Sequence, residues 1–311
     1  MQHRVIGNTG LSISVIAMGC GPVAELMTGT DTPRQLAVVH QALAAGINWF
    51  DTAPGYGNGQ SERSLGNCLA AHDPQHQAQI STKVRLVRHS SAPFRDQIFN
   101  SLQQSLERLQ RPSVALLQLH NAITEQPDKQ PFSVTPEEVL EPGGVADCFN
   151  ELLHAGKIQA AGLTGTGDTS ALTEVLNSRR FQTIQLPLNL LHSLPAADTQ
   201  PRQLLAACET AGVNVLAIRI FAAGALLGRP PSDHTLKTPF FPLAVYQQDT
   251  LQAEQLCGGW TAAERLQRAL EFPLGQPTVA AAIVGLACSA ELSEITAAQQ
   301  KAASLRKALD R

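Results

Sequence analysis

Short, nearly continuous apolar runs alternate along the whole chain with segments whose apolar positions recur at helical spacing. The runs predict strands at Val15 to Met18, Ile47 to Phe50, Gln79 to Thr82, Val114 to Leu119, Ile158 to Leu163, Thr183 to Leu186, Val213 to Ile218 and Ala280 to Val284. Such runs suit parallel strands, which are covered on both faces. Asp31 or Thr32 with Pro33 opens a helix carrying Leu36, Val39 and Leu43 on one face. Ser61 reads as the N-cap of the next, which reaches about Ala71, and Phe99, Leu102, Leu106 and Leu109 mark a third. Further helices are expected near 136–154, 169–178, 201–211 and 262–270. Ahead of them all, Arg4 to Ile6 and Leu11 to Ser14 flank Gly7-Asn8-Thr9-Gly10, the pattern of a β-hairpin.

Eight strands alternating with helices, without a break in composition, predict one domain over residues 1–311: an α/β fold, a (β/α)8 TIM barrel with an N-terminal β-hairpin. Asn121 to Thr135 and Gly228 to Tyr246 fit no barrel element. Both leave carboxyl ends of strands, where active sites of this fold sit, so both are expected to be substrate loops.

Composition narrows the ligand. A net charge of -3 with mixed signs gives no reason to expect nucleic acid or an anionic membrane, which leaves a small molecule. The six cysteines stand singly, with neither C-x-x-C pairs nor metal-ligand spacing, as reduced thiols of a cytoplasmic protein would. No metal is expected. The N-terminus lacks the apolar core of a signal peptide and no apolar run approaches membrane length. Monomer and homo-oligomer both stay open.

The chemistry concentrates where strands end. The second, third and fourth strands run into Asp51, Lys83 and His120, and the loop after Asp51 carries Tyr56, one of only two tyrosines. Side chains alternate along a strand, so Trp49 shares a face with Asp51, and Gln118 with His120. Pointing inward, the four groups would meet in one pocket. A phenol beside an ammonium is suited to delivering a proton to an oxygen, Asp51 would keep Lys83 charged and aimed, and His120 could orient a carbonyl. The set contains no hydride donor, so a cofactor is implied, and nicotinamide is the natural candidate.

The runs Gly46-Ile47-Asn48, Asp51-Thr52-Ala53-Pro54, Tyr56-Gly57, Ser61-Glu62, Leu65-Gly66, Ser81-Thr82-Lys83, Ser105-Leu106 with Arg108-Leu109, and Leu116 to Asn121 resemble the aldo-keto reductase superfamily. The resemblance implies an oxidoreductase that interconverts an aldehyde or ketone (or sugar hemiacetal) and its alcohol (or lactone). Asp51, Tyr56, Lys83 and His120 would be catalytic, with Tyr56 the general acid in reduction and the base in oxidation. It implies NADP(H) or NAD(H) contacts from Gly21, Asp51, Thr164, Gln185, Arg219, Ile220, Phe221, Ala222, Gly224, Gly285, Ser289 and Glu291. Gln185 would meet the nicotinamide amide, Phe221 to Gly224 the diphosphate, and Ile283 to Gly285 with Ser289 the adenine ribose.

Three departures bear on the cofactor. Thr164-Gly165 stands where the family usually has Ser-Asn, and Ile218-Arg219 where many members place a stacking aromatic. Around Ala287 to Ile295 no Lys or Arg stands ready for a 2'-phosphate, and Glu291 would repel one, which keeps NAD(H) beside NADP(H). The departures at Gly165 and Ile218 also motivate a regulatory or redox-sensing protein that binds nicotinamide and turns over little. A lyase using Lys83 as a Schiff-base amine is disfavoured by Asp51, which would hold that lysine protonated.

Overall fold

The computed structural model describes residues 1–193, 199–237 and 243–309, with side chains to residue 301. In chain order the strands are β1 (His3–Val5), β2 (Ser12–Ser14), β3 (Ile16–Gly19), β4 (Trp49–Asp51), β5 (Gln79–Val84), β6 (Val114–Leu119), β7 (Ile158–Thr164), β8 (Thr183–Pro187), β9 (Asn214–Ile218) and β10 (Val279–Gly285). The helices are α1 (Thr32–Ala44), α2 (Gln60–His72), α3 (Phe94–Leu109), α4 (Pro136–Leu140), α5 (Val145–His154), α6 (Thr169–Asn177), α7 (Gln200–Ala211), α8 (Asp233–Lys237), α9 (Leu243–Cys257), α10 (Ala262–Leu274) and α11 (Ser289–Leu309). The strands β3 to β10 pair in parallel and close into a barrel, with β10 returning to β3. The expected fold is the observed one, hairpin included: β1 and β2 pair antiparallel, His3 opposite Ser14.

The barrel separates two layers of core. Phe50 joins the large shell between sheet and helices, whereas Trp49, on the opposite face, packs with Ala17, Leu116, Ala160 and Leu216. Ile6, Leu11 and Ile13 of the hairpin belong to that second cluster, so the hairpin fills one end of the barrel with apolar side chains and leaves the other for chemistry.

Several local expectations need correction. Ser61 is not a cap: Gly59, with φ of 80°, precedes α2, and the buried Ser61 hydroxyl donates to the Cys20 carbonyl at 2.7 Å. Asp31 does cap α1, accepting from the Arg34 amide at 3.1 Å. The helix expected over 136–154 is two, because Gly143 takes φ of 80° and a Cβ on Gly144 would meet the Glu138 carbonyl at 2.7 Å. The segment Gly228 to Tyr246 is only in part a loop over the barrel. Residues 238–242 lie outside the described residues, and Tyr246 belongs to α9, where its hydroxyl donates to the Arg229 carbonyl at 2.5 Å. With Leu226, Ala253, Cys257 and Ala269 it forms a satellite core.

Candidate active site

At the carboxyl ends of β4, β5 and β6 the register sets Asp51 beside Ser81 and Lys83 beside Gln118. Lys83, 1% exposed, donates to Asp51 Oδ1 at 2.6 Å and to the Thr52 carbonyl at 2.8 Å. The other carboxylate oxygen, Oδ2, accepts from Gln185 at 2.5 Å and from Gln118 at 3.2 Å. Gln118 also donates to Ser81 Oγ at 2.7 Å. Gly162 makes room for this layer, since a Cβ there would lie 2.4 Å from Thr183 Oγ1 and 3.0 Å from Gln118 Cγ.

Tyr56 hangs over the pair. Lys83 Nζ lies 4.9 Å from the phenol ring centroid, and the Tyr56 and His120 rings meet edge to face at 6.1 Å. The loop is turned by consecutive left-handed residues, Gly57, Asn58 and Gly59. It is pinned from behind by the Thr52 and Ser61 hydroxyls, 2.8 Å apart. Glu62, wholly buried, accepts from Thr82 Oγ1 and from Arg108 Nε, both at 2.6 Å. Gly66 lets α2 lie against α3, where a Cβ would meet the Arg108 carbonyl at 2.6 Å. The run from Ser61 to Gly66 and the residues near Arg108 thus form the scaffold that holds β4 and β5 in place.

Burial raises the Tyr56 phenol above its ordinary value while Lys83 pulls the other way. The ammonium therefore offsets desolvation without overcoming it. His120 is held well below the usual imidazole range, by burial first and then by the charges of Lys83 and Arg85, so it is neutral at physiological pH and presents one N–H donor and one acceptor.

A cleft of about 1120 Å³ opens over Tyr56 and His120. Of the residues expected to hold a cofactor, Thr164, Arg219, Ile220, Phe221, Gly224, Gly285 and Glu291 line it. Gly21, Asp51, Gln185, Ala222 and Ser289 are outside its wall, and the Gln185 amide nitrogen donates to Asp51. One feature of the wall suits a bound ligand. Thr164 Oγ1 is buried there without a hydrogen-bond partner. Ala222, Ala223 and Gly224 all take positive φ, and the turn closes on itself, the Ala222 amide donating to the Arg219 carbonyl at 2.9 Å and the Gly224 amide to the Phe221 carbonyl at 3.0 Å. Among the described residues no cluster of His, Cys, Asp or Glu could hold a metal, and no helix is long and apolar enough to cross a membrane.

Sequence reasoning missed three groups here. Arg85, two residues beyond Lys83 and so predictable from strand alternation, lines the cleft, as does Phe132. Arg229, far in sequence from α11, pairs with Glu291 at 3.0 Å and Glu294 at 3.5 Å, so a basic group stands beside Glu291 after all. No local motif announces it.

The sequence model of the Aldo/keto reductase family matches residues 15–306. The L-galactose dehydrogenase of Arabidopsis thaliana is 26% identical over 306 residues, covering 98% of this chain and 90% of that protein. The pyridoxal 4-dehydrogenase of Microbacterium luteolum is 24% identical over 92% of this chain and 89% of its own. Among solved structures, an aldo-keto reductase of Bacillus halodurans in its holo form superposes with a TM-score of 0.71 at 22% identity, over 96% of this chain and 90% of that one. The glycerol dehydrogenase of Gluconobacter oxydans does so at 0.69 and 23%, over 97% and 94%.

Proposed function

The chain belongs to the aldo-keto reductase family and is an oxidoreductase of carbonyls and alcohols, and from that premise we propose that it interconverts an aldehyde, ketone or sugar hemiacetal and the corresponding alcohol or lactone at Tyr56, with NAD(H) or NADP(H). The support is the convergence of four groups: Tyr56 and His120 line the cleft, and the buried Asp51–Lys83 pair lies against the Tyr56 ring behind them. The nicotinamide, when bound, supplies or accepts the hydride. Thr164, the left-handed turn at Ala222 to Gly224, Gly285 and Glu291 would hold the dinucleotide.

The chain's own residues handle the proton and the carbonyl. Tyr56 donates its phenolic proton to the carbonyl oxygen in reduction and recovers it from the alcohol in oxidation. Lys83 lies close enough to stabilise the phenolate that forms, and Asp51 fixes Lys83 in place. Neutral His120 donates a hydrogen bond to the same oxygen, which orients the carbonyl carbon. Burial strengthens each of these interactions.

A nicotinamide sensor with little turnover is the second reading, favoured by Gly165. A Cβ there would meet the Leu186 side chain and lie 3.0 Å from the Gln185 carbonyl, so the amide usual at this position would fit only if Leu186 moved. One experiment tests both. The protein is titrated with NADH and with NADPH by tryptophan fluorescence, then assayed for reduction of a panel of aldehydes, ketones and sugars. Saturable binding with turnover supports the enzyme. Binding without turnover across the panel selects the sensor, and binding of neither dinucleotide rejects both.

A further inference from the structure

We infer that Gln118 is a positioning residue of the reaction, fixing the Asp51 carboxylate so that Lys83 stays available to the Tyr56 phenolate, an inference that rests on the oxidoreductase reading above. Gln118 is wholly buried on β6, two residues before His120, and is not part of the cleft wall, so it lies behind the reacting groups. Its amide nitrogen donates to Asp51 Oδ2 at 3.2 Å and to Ser81 Oγ at 2.7 Å.

The placement serves Asp51 rather than the fold. The Gln118 amide oxygen, Oε1, is buried without a hydrogen-bond partner, a loss that an apolar side chain of the same length would avoid. The amide is turned this way because the reverse would set Oε1 against a carboxylate, so its orientation follows the charge of Asp51. Strand β7 gives up a side chain to admit it: Gly162 pairs with Gln118, and a Cβ there would lie 3.0 Å from Gln118 Cγ. The interior cluster of Trp49, Leu116, Ala160 and Leu216 is apolar, and packing alone would be met by a methionine in place of Gln118.

The consequence for Tyr56 is electrostatic. The charged and titratable groups around the phenol are Asp51 on β4, Lys83 on β5, Arg85 just beyond β5 and His120 just beyond β6. Cys20, beside Asp51, is kept a thiol by burial. Of all these, Gln118 bonds Asp51. Asp51 disfavours the phenolate and Lys83 favours it. A donor on Oδ2 draws carboxylate charge away from Oδ1, where Lys83 sits at 2.6 Å, which weakens the first effect and releases the second. Gln185 donates to Oδ2 as well, at 2.5 Å, so losing Gln118 removes part of this compensation and leaves the rest.

The test follows Tyr56 ionisation in the wild type, Gln118→Met and Ser81→Ala, read as phenolate absorbance against the same protein carrying Tyr56→Phe. Beside it runs the pH profile of 4-nitrobenzyl alcohol oxidation with whichever dinucleotide the protein binds. In Gln118→Met both curves should move up by about 0.5 to 1 pH unit. Oxidation starts from the phenolate, so on the rising limb its kcat at fixed pH should fall by ~3- to 10-fold while KM and dinucleotide affinity hold. The urea midpoint should stay near wild type, because the unpartnered Oε1 leaves with the amide. Ser81→Ala releases the amide from its second anchor and should move both curves the same way by less. An unmoved Tyr56 ionisation in Gln118→Met overturns the inference, whatever happens to stability. If that variant does not fold, an unmoved ionisation in Ser81→Ala overturns it. Wild-type turnover with unmoved curves in the variants leaves the oxidoreductase reading standing and removes this inference alone. Absence of all turnover and of dinucleotide binding in the wild type removes both.

Discussion

Lys83 Nζ and Asp51 Oδ1 meet at 2.6 Å with side chains only 1% and 6% exposed, so the charged pair against the Tyr56 ring is a buried one. Taking either partner away leaves an uncompensated charge in the barrel interior, at a cost of about 3 to 5 kcal/mol. Asp51→Ala should lower the urea midpoint accordingly and abolish turnover. The double variant Asp51→Leu/Lys83→Met should recover much of that stability and none of the activity, because it removes both charges at once. Recovery will be partial, since Gln118 and Gln185 lose their acceptor. A double variant as unstable as Asp51→Ala would show that the loss does not come from the stranded charge.

Tyr56 can be followed directly because Tyr246 is the only other tyrosine. The phenolate absorbance of the wild type minus that of Tyr56→Phe isolates its ionisation. Burial dominates over the opposing charge of Lys83, so the difference should titrate above the ordinary tyrosine value of about 10. Ionisation near neutrality would overturn the assignment of burial as the larger effect. Tyr56→Phe should also reduce turnover by roughly two to four orders of magnitude while dinucleotide affinity stays close to wild type.

His120 links the site to stability. Its folded pKa lies below the unfolded value of about 6.5, because burial and the charges of Lys83 and Arg85 disfavour the imidazolium. The unfolded chain therefore binds a proton before the folded one does. The neutral imidazole's contribution is complete above about pH 6.5 and is lost as pH falls towards the folded pKa, with a slope of at most about 1.4 kcal/mol per pH unit. Between about pH 7.5 and about pH 5, His120→Gln should lose less stability than wild type in denaturant titrations. Parallel losses in the two proteins would mean that His120 titrates normally.

The barrel, the hairpin and the meeting of Asp51, Lys83, Tyr56 and His120 at one end of it were legible because each rests on a short-range signal: apolar runs ending on a charge, alternation along a strand, glycines in a turn. Trp49 and Phe50 packing in different layers follow directly from that alternation. What escaped depends on contacts remote in sequence. Thr164-Gly165 was legible as a lost amide, but its physical cause, the proximity of Leu186, was not. Ser61 looked like a cap because it precedes a helix and carries a hydroxyl, yet that hydroxyl serves the Cys20 carbonyl across the barrel end. Gln185 was expected at the nicotinamide, and its bond to Asp51 needed the closed sheet to become visible. The helix α9 was missed because its apolar residues face a small satellite core and give only weak helical periodicity.

The same limit governed the reading of cofactor choice. Glu291 lines the cleft, accepts from the Ala287 amide at 2.7 Å and pairs with Arg229 at 3.0 Å. Arg229 reaches it from beyond β9, out of view of any search near α11. A 2'-phosphate placed here would meet the carboxylate's charge and would compete with it for Arg229, whereas a 2'-hydroxyl could donate to Glu291. Glu291→Gln should therefore raise affinity for NADPH relative to NADH, by ~10-fold if one charge repulsion is relieved and Arg229 is released to the phosphate. Arg229→Gln should weaken NADPH more than NADH. Fluorescence titration of both dinucleotides against the wild type and the two variants measures the ratio. A ratio that neither substitution moves would put the adenine ribose away from Glu291 and overturn its place among the cofactor contacts.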